Sequence, residues 1–247
     1  NIRKDSKNKK IIDSFDEYLE KKQKTLGFTL SSEQQKAVEL INSGEKTLFL
    51  IGYAGTGKST SSRAILELLE EIVSYDDIIA IALSGIASQR ISDTTGYNAS
   101  TIQSLLVKHK EKDFFPYKVI LLDEASMVNS VTFSQIISNI SDDTIFIIVG
   151  DDGQLPAIGA GNILADSIKY ELAPICKLTK IYRQNENQAI AVIANDIRKG
   201  ELPNYKEEYE DFKFVDVSIG NYYSMKNSLT QNEFSDMRGE NSDYILN

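Results

Sequence analysis

The sequence is short of several things that would define other kinds of protein. It has a single cysteine, Cys176, so it can form no internal disulfide and no cysteine-based zinc site, as suits a reducing cytosol. Cys176 is read as a core-packing residue. No apolar run approaches the roughly 20 residues of a membrane-spanning helix, which argues against insertion into a bilayer. Positive charge is not in excess either: 27 Lys and Arg stand against 36 Asp and Glu, a net charge of −9. That excludes a surface coated in positive potential while leaving room for a local basic groove. There is no internal repeat, low-complexity segment or signal-peptide pattern, and the chain starts at Asn1 without a methionine, which predicts a trimmed or processed product.

What is present is the composition of a globular protein, 41% apolar and 26% charged over 247 residues, enough for one large domain or one domain and part of a second. Charge is spread unevenly. Residues 1–24 hold eight basic and five acidic side chains, and residues 201–247 hold four and ten. Residues 11–24 place Ile11, Ile12, Phe15, Tyr18 and Leu19 at helical spacing, read as a short amphipathic helix or a flexible tail. "LSSEQQKAVELINSG" is a helix with Ser31 or Ser32 as N-cap and Gly44 as its stop. Strands follow at 47–52, 78–83, 118–123, 144–149 and 172–178, alternating with helices near 58–73, 85–95, 130–140 and 161–169. Alternation of this kind, with strands apolar on both faces, predicts an α/β fold in which helices cover both sides of a parallel sheet. A further helix ends at Gly200, and the acidic, aromatic stretch beyond it marks a boundary. The scheme is therefore a tail or helix over 1–29, a nucleotide-binding domain over 30–200, and the start of an incomplete second domain over 201–247.

One stretch carries specific chemistry. In "LFLIGYAGTGKST", Gly52, Gly57, Lys58 and Ser59 fit the phosphate-binding pattern G-x-x-x-x-G-K-[ST], placed after a strand and at the start of a helix. Backbone N–H groups there wrap phosphate oxygens, and glycines let the main chain come close. The candidate nucleotide-binding set is Gly52, Ala54, Gly55, Thr56, Gly57, Lys58, Ser59 and Thr60, with Lys58 on the β- and γ-phosphates and Ser59 on Mg²⁺. A phosphate cradle needs a second strand bearing carboxylates, and "VILLDEASM" supplies it: Asp123 for the Mg²⁺ shell and Glu124 to orient or deprotonate an attacking water. An Asp-Glu pair alone is ordinarily a solvated loop, and Ser/Thr clusters at helix starts are ordinarily caps. A small-molecule kinase would need an acceptor pocket in place of a water base.

Four more stretches, "LSSEQQKAV", "IALSGIASQRISDTTGYNASTIQSLL", "VGDDGQLPAIGAG" and "LTKIYRQ", join the two above. In order and spacing the six resemble the motifs of superfamily 1B DNA helicases of the RecD/Dda-like group, over residues 30–200. The resemblance implies a P-loop NTPase with a RecA-like domain, ATP and Mg²⁺ as cofactors, single-stranded DNA as partner, and 5′-to-3′ polarity. It implies that Gln34 reads the adenine edge, Tyr182 packs on the adenine ring, Gln154 senses the γ-phosphate beside Asp151, and Arg183 contacts the γ-phosphate. A planar, permanently charged guanidinium suits that last task. For DNA it points to Ser84, Gly85 and Ile86 and to Ser100, Thr101 and Gln103, the last where the family often has His. Such contacts hold phosphates without reading bases. The implied setting is the cytoplasm or nucleoid, or a host cytoplasm for a viral protein, with a replication or recombination protein as a further partner.

Two departures qualify the resemblance. Relatives carry an inserted wedge where this chain has only "VKHKEKDFFPYK", within a very short insertion at 107–118, either a small hairpin with Phe114 and Phe115 at its tip and Lys108, Lys110 and Lys112 near DNA, or a plain connection. Nothing in 201–247 matches the family's second-domain motifs, so the chain alone is expected to hydrolyse ATP weakly. The competing reading is an ATP-binding switch or assembly subunit acting on a protein partner without DNA unwinding.

Overall fold

The computed structural model describes residues 10–26, 29–180, 193–194, 196–197 and 200–202. The chain divides into two compact units, Asn1–Gln184 and Asn185–Asn247, and every element described below lies in the first.

Six strands form one parallel sheet: β1 Thr47–Gly52, β2 Ile78–Ala82, β3 Ala99–Thr101, β4 Val119–Leu122, β5 Ile145–Gly150 and β6 Ile175–Leu178, in the order β3-β2-β4-β5-β1-β6. The helices are α1 Phe15–Leu26, α2 Ser32–Asn42, α3 Lys58–Leu69, α4 Gly85–Thr95, α5 Ile102–Lys108, α6 Ser130–Ser138 and α7 Ile163–Lys169. Because side chains alternate across a strand, each central strand feeds two cores. Leu48, Leu50, Ile78, Ala80, Val119, Leu121, Ile147 and Val149 join Leu19, Val38, Ile41, Ile65, Leu68 and Ile91 on one face. Phe49, Ile51, Ile79, Ile81, Ile120, Leu122, Phe146 and Ile148 join Ile102, Leu105, Ile136 and Leu164 on the other. Helices thus cover both faces, as the strands' continuous apolar runs require. Cys176 is buried in the first core, and burial pushes its thiol up to about 11.

Differences from the sequence reading have local causes. β3 was not anticipated: "AST" is three half-buried residues on the sheet's edge, with no apolar run to announce it. The helix expected over 58–73 ends at Leu69, and the strand expected over 172–178 begins at Ile175, after Pro174, whose ring leaves no N–H for the ladder. Residues 11–24 are no loose tail. Ile11 N–H donates to Asn42 O at 3.0 Å, the Asn42 amide brackets Ile12 N–H and Ile12 C=O at 2.8 and 3.1 Å, and α1 follows with Leu19 buried. Segment 107–118 forms no hairpin. Phe115 is 4% exposed in the second core and its N–H donates to Asn139 O at 2.7 Å, whereas Phe114 lies on the surface. A phenyl ring gains more from that core than from a solvated tip. The helix expected up to Gly200 falls largely outside the described residues.

Candidate nucleotide-binding cleft

The loops that leave a parallel sheet's carboxyl edge form its natural binding crevice. Here β1, β4 and β5 are neighbours in register, with Leu50 beside Val149 and Leu122 beside Ile148. The phosphate turn, the Asp123-Glu124 pair and the Asp151–Gln154 loop therefore emerge side by side around a cleft of about 500 Å³.

The turn is built by its own backbone. Gly55 and Gly57 adopt the left-handed region, both at φ 83°, which a side chain would strain. At Gly52 an added Cβ would stand 2.5 Å from Thr56 Oγ1 and 3.0 Å from Leu178 Cβ and O, so only glycine fits between the turn and β6. Thr56 is buried and its hydroxyl donates to Tyr53 O at 2.8 Å. Lys58 Nζ donates to Gly52 O at 2.6 Å and Tyr53 O at 3.0 Å, curled over the turn. The start of α3 is distinctive. α2, α4, α5, α6 and α7 each begin under a side-chain cap, from Ser31, Ser84, Thr101, Asn129 and Asn162, whereas α3 begins at Gly57 with none. Its first N–H groups, which every helix leaves without intrahelical partners, are thus offered to an anion at the positive end of the helix dipole.

The carboxylates stand opposite. Asp123 is 7% exposed, its N–H donates to Ile81 O at 2.9 Å, and burial pushes its carboxyl above the ordinary range. Glu124 sits at φ 53°, ψ 39°, a backbone well that non-glycine residues enter only where the surroundings dictate it. Asp151 is buried and its Oδ1 accepts from Gly153 N at 3.0 Å, while Gln154 Oε1 accepts from Ser126 Oγ at 3.0 Å. Among the described residues no three His, Cys, Asp or Glu side chains could hold a metal on their own. Mg²⁺ asks less, since one or two carboxylates suffice when phosphates and water complete its shell. Ser59 and Asp123 both line the cleft, and a cation there would offset the cost of burying the Asp123 charge, so the residues fit the ion.

Of the residues singled out in the sequence, Ala54, Gly55, Gly57, Lys58, Ser59, Asp123, Glu124 and Gln154 line this cleft. Gly52 and Thr56 shape the turn from behind, and Thr60 lies one residue deeper in α3. Gln34 is 3% exposed and engaged by the chain itself: its Oε1 accepts from Ser31 N at 2.9 Å in a capping box, and its Nε2 donates to Gly57 O at 3.4 Å. It thereby ties α2 to the phosphate turn. Tyr182 and Arg183 lie outside the described residues. Reasoning from sequence missed Arg90, which reaches the cleft from α4 with Nη1 3.8 Å from Glu124 Oε1, and Ser126, which holds Gln154. Arg90 has no motif of its own, and only its helical spacing after Ser84 could have pointed to it. Glu33 was missed too: it accepts from Thr179 N at 2.7 Å, Lys180 N at 3.3 Å and the Thr179 hydroxyl, anchoring the start of "LTKIYRQ" to α2.

The residues assigned to DNA cluster on the same edge, at and just beyond the ends of β2 and β3, where Ala82 pairs with Thr101. Ser84 Oγ accepts from Ala87 N at 3.1 Å and Thr101 Oγ1 from Ser104 N at 3.1 Å, so both hydroxyls serve as caps. Ser100 Oγ donates to Thr101 O at 3.2 Å. Gly85 has open space around it, and Ile86 and Gln103 are exposed.

A parallel sheet with an uncapped, glycine-flanked helix start facing a buried Asp123 and a half-buried Glu124 defines a P-loop nucleotide-binding protein. The family described as AAA domain matches residues 29–218, and the chain belongs to it, as an amino-terminal domain of the superfamily 1B RecD/Pif1-like kind. It is 30% identical over 185 residues to the ATP-dependent RecD2 DNA helicase of Deinococcus radiodurans, covering 72% of this chain and 25% of that protein. It is 31% identical over 202 residues to the ATP-dependent DNA helicase RRM3 of Saccharomyces cerevisiae, covering 70% and 28%. Among solved structures, the fold matches Bacteroides sp. Pif1 in complex with ADP-AlF4 at TM-score 0.50 and 26% identity, over 71% of this chain and 47% of that one. The chain thus spans about a quarter of the length of these curated relatives. No helix among the described residues is long and apolar enough to cross a membrane.

Proposed function

We propose that this chain is the ATP-hydrolysing domain of a DNA helicase or translocase that moves 5′ to 3′ on single-stranded DNA. The observation that carries the proposal is the cleft, where the phosphate turn, the Asp123-Glu124 pair and Gln154 converge beside the loops bearing Ser84 and Thr101. The α3 N–H groups and Lys58 would bind the β- and γ-phosphates, which requires Lys58 to turn from the carbonyls of Gly52 and Tyr53 toward the nucleotide. Ser59 and Asp123 would hold Mg²⁺, whose charge offsets that of the phosphates. Glu124 would accept a proton from the attacking water, Gln154 would report the γ-phosphate to the neighbouring loops, and Arg183 would stabilise charge on the transferred group. Tyr182 would pack on adenine, and Gln34 would read its edge, which requires its amide to leave Ser31 N and Gly57 O. Gly85, Ile86 and Gln103, with Ser84, Ser100 and Thr101 around them, would follow a DNA backbone without reading its bases.

In this reading residues 30–200 form the ATPase domain, preceded by the segment 1–29, with 107–118 in place of a longer wedge and 201–247 opening a second domain. A motor of this kind closes two domains on ATP and reopens after hydrolysis. A cytoplasmic or nucleoid setting and a replication or recombination partner belong to the same proposal.

The test is phosphate release from ATP and Mg²⁺, with and without single-stranded DNA, by the chain and three variants. Phosphate release in the parent, loss of nucleotide binding in Lys58→Ala, and retained binding without turnover in Glu124→Gln support the reading, as does loss of turnover with retained binding in Arg183→Ala. Full turnover in Glu124→Gln removes Glu124 as the base. Nucleotide binding with neither hydrolysis nor any response to DNA favours an ATP-driven switch acting on a protein.

A further inference from the structure

We infer that Arg90 is a positioning residue for hydrolysis: it restrains Glu124 while the cleft is idle and makes release of that carboxylate depend on helix α4. The inference rests on the reading of Glu124 as the water-activating group and of the α4 start as a DNA contact.

Three observations converge. First, Arg90 and Glu124 line the same cleft and meet across it, Nη1 to Oε1 at 3.8 Å, with side-chain exposures of 64% and 26%. At that distance they form an ion pair without a hydrogen bond, loose enough to exchange partners. Second, Lys58 is hydrogen-bonded to Gly52 O and Tyr53 O, whereas the guanidinium of Arg90 is ion-paired with Glu124. Third, Arg90 lies five residues, about 7.5 Å along the axis, from Gly85 at the first turn of α4. That turn has open space around Gly85 and an 85% exposed Ile86, so a ligand can reach it, and Ile91, in the middle of the helix beside Arg90, packs in the core.

The consequence is mechanical. α4 is one rigid element with a ligand-accessible first turn and a charged side chain on the candidate base. A DNA backbone seated at Ser84–Ile86 that shifts α4 by even an ångström moves Arg90 relative to Glu124, because an ion pair already at 3.8 Å has little reach to spare. Arriving phosphates add negative charge that competes for the same guanidinium, whose several N–H groups can pass from carboxylate to phosphate. DNA and nucleotide would then act together to free Glu124, and the idle cleft would be protected from futile turnover.

The test measures ATP turnover against ATP concentration for the parent, Arg90→Ala and Arg90→Lys, with and without oligothymidylate, alongside binding of a fluorescent ADP. Arg90 is largely exposed, so the variants should fold. In Arg90→Ala, DNA-free kcat is expected to rise about two- to fivefold, the range open to a partly exposed ion pair, with KM unchanged and the stimulation by DNA reduced by the same factor. Arg90→Lys, which keeps the charge, should stay near the parent. In a Glu124→Gln background, Arg90→Ala should leave the residual single-turnover rate unchanged, because the two act through one interaction. A fall in DNA-free kcat, a rise in KM alone, an unchanged ratio, or no stimulation by DNA in the parent overturns the inference. Full turnover in Glu124→Gln is separable from these outcomes, since it sinks the role of Glu124 whatever Arg90 does.

Discussion

Gly52→Ala tests whether the phosphate turn is held open by want of a side chain. A methyl carbon at Gly52 would lie 2.5 Å from Thr56 Oγ1 and 3.0 Å from both Leu178 Cβ and Leu178 O, closer than carbon atoms pack. Two of those neighbours cannot yield easily. Leu178 pairs with Gly52 in the β1–β6 ladder, and the Thr56 hydroxyl is fixed by its bond to Tyr53 O. Overpacking of this kind typically costs about 1–3 kcal/mol. For a chain of this size each kcal/mol lowers Tm by about 2–4 °C, so a fall of about 2–12 °C is expected. Thermal unfolding with and without ADP-Mg²⁺ should show that fall together with a smaller gain from nucleotide, because the turn itself is displaced. Adding Thr56→Ala removes the 2.5 Å contact, so the double variant should lose less than the two single losses summed. A Tm within error of the parent, or strictly additive losses, would refute the reasoning.

Other outcomes follow from contacts outside the cleft. Glu33→Ala releases Thr179 and Lys180 from α2 and should destabilise the first unit by about 1 kcal/mol, the net worth of a hydrogen bond or two at an exposed site; an unchanged urea midpoint would contradict it. Slight burial works to raise the Glu33 carboxyl, but hydrogen bonds from Thr179 and Lys180 hold it below its ordinary value of 4.5. Its contribution is therefore present above that value and lost as pH falls through the lower folded value, so parent and Glu33→Ala should converge in acid. His109 is 5% exposed, packed edge-on against Phe115 and Tyr117, with neither ring nitrogen hydrogen-bonded. Burial, then the charges of Lys112 and Lys108, hold its imidazole below the ordinary 6.5. The unfolded chain thus binds the proton more readily, and stability should drop as pH falls below that value. His109→Phe should lose less Tm than the parent between about pH 7.5 and 5.5, and equal losses would refute the assignment.

Much of this architecture could be read from one dimension. Strands buried on both faces must be apolar throughout, so β1, β2, β4 and β5 appeared as runs within a residue or two of their observed ends. The phosphate turn was legible because a close approach to an anion demands glycines and a lysine at set spacing, and Asp123-Glu124 because an apolar strand ends on them. The edge strand β3 left no such trace, since three polar residues with one neighbour need no apolar signature. Whether Phe115 sat at a hairpin tip or in a plain connection was left open, because an exposed and a buried phenylalanine look alike until a core exists to receive one.

Local chemistry therefore determined the phosphate turn, the capped helix starts and the alternation of strand and helix, because each depends on residues within a turn or two of one another. The meetings of Arg90 with Glu124, Ser126 with Gln154, and Glu33 with Thr179 were decided only by tertiary structure. Their partners stand 34, 28 and 146 residues apart. Nothing in a chain's local energetics selects such pairs; the order in which the sheet lays its strands side by side does.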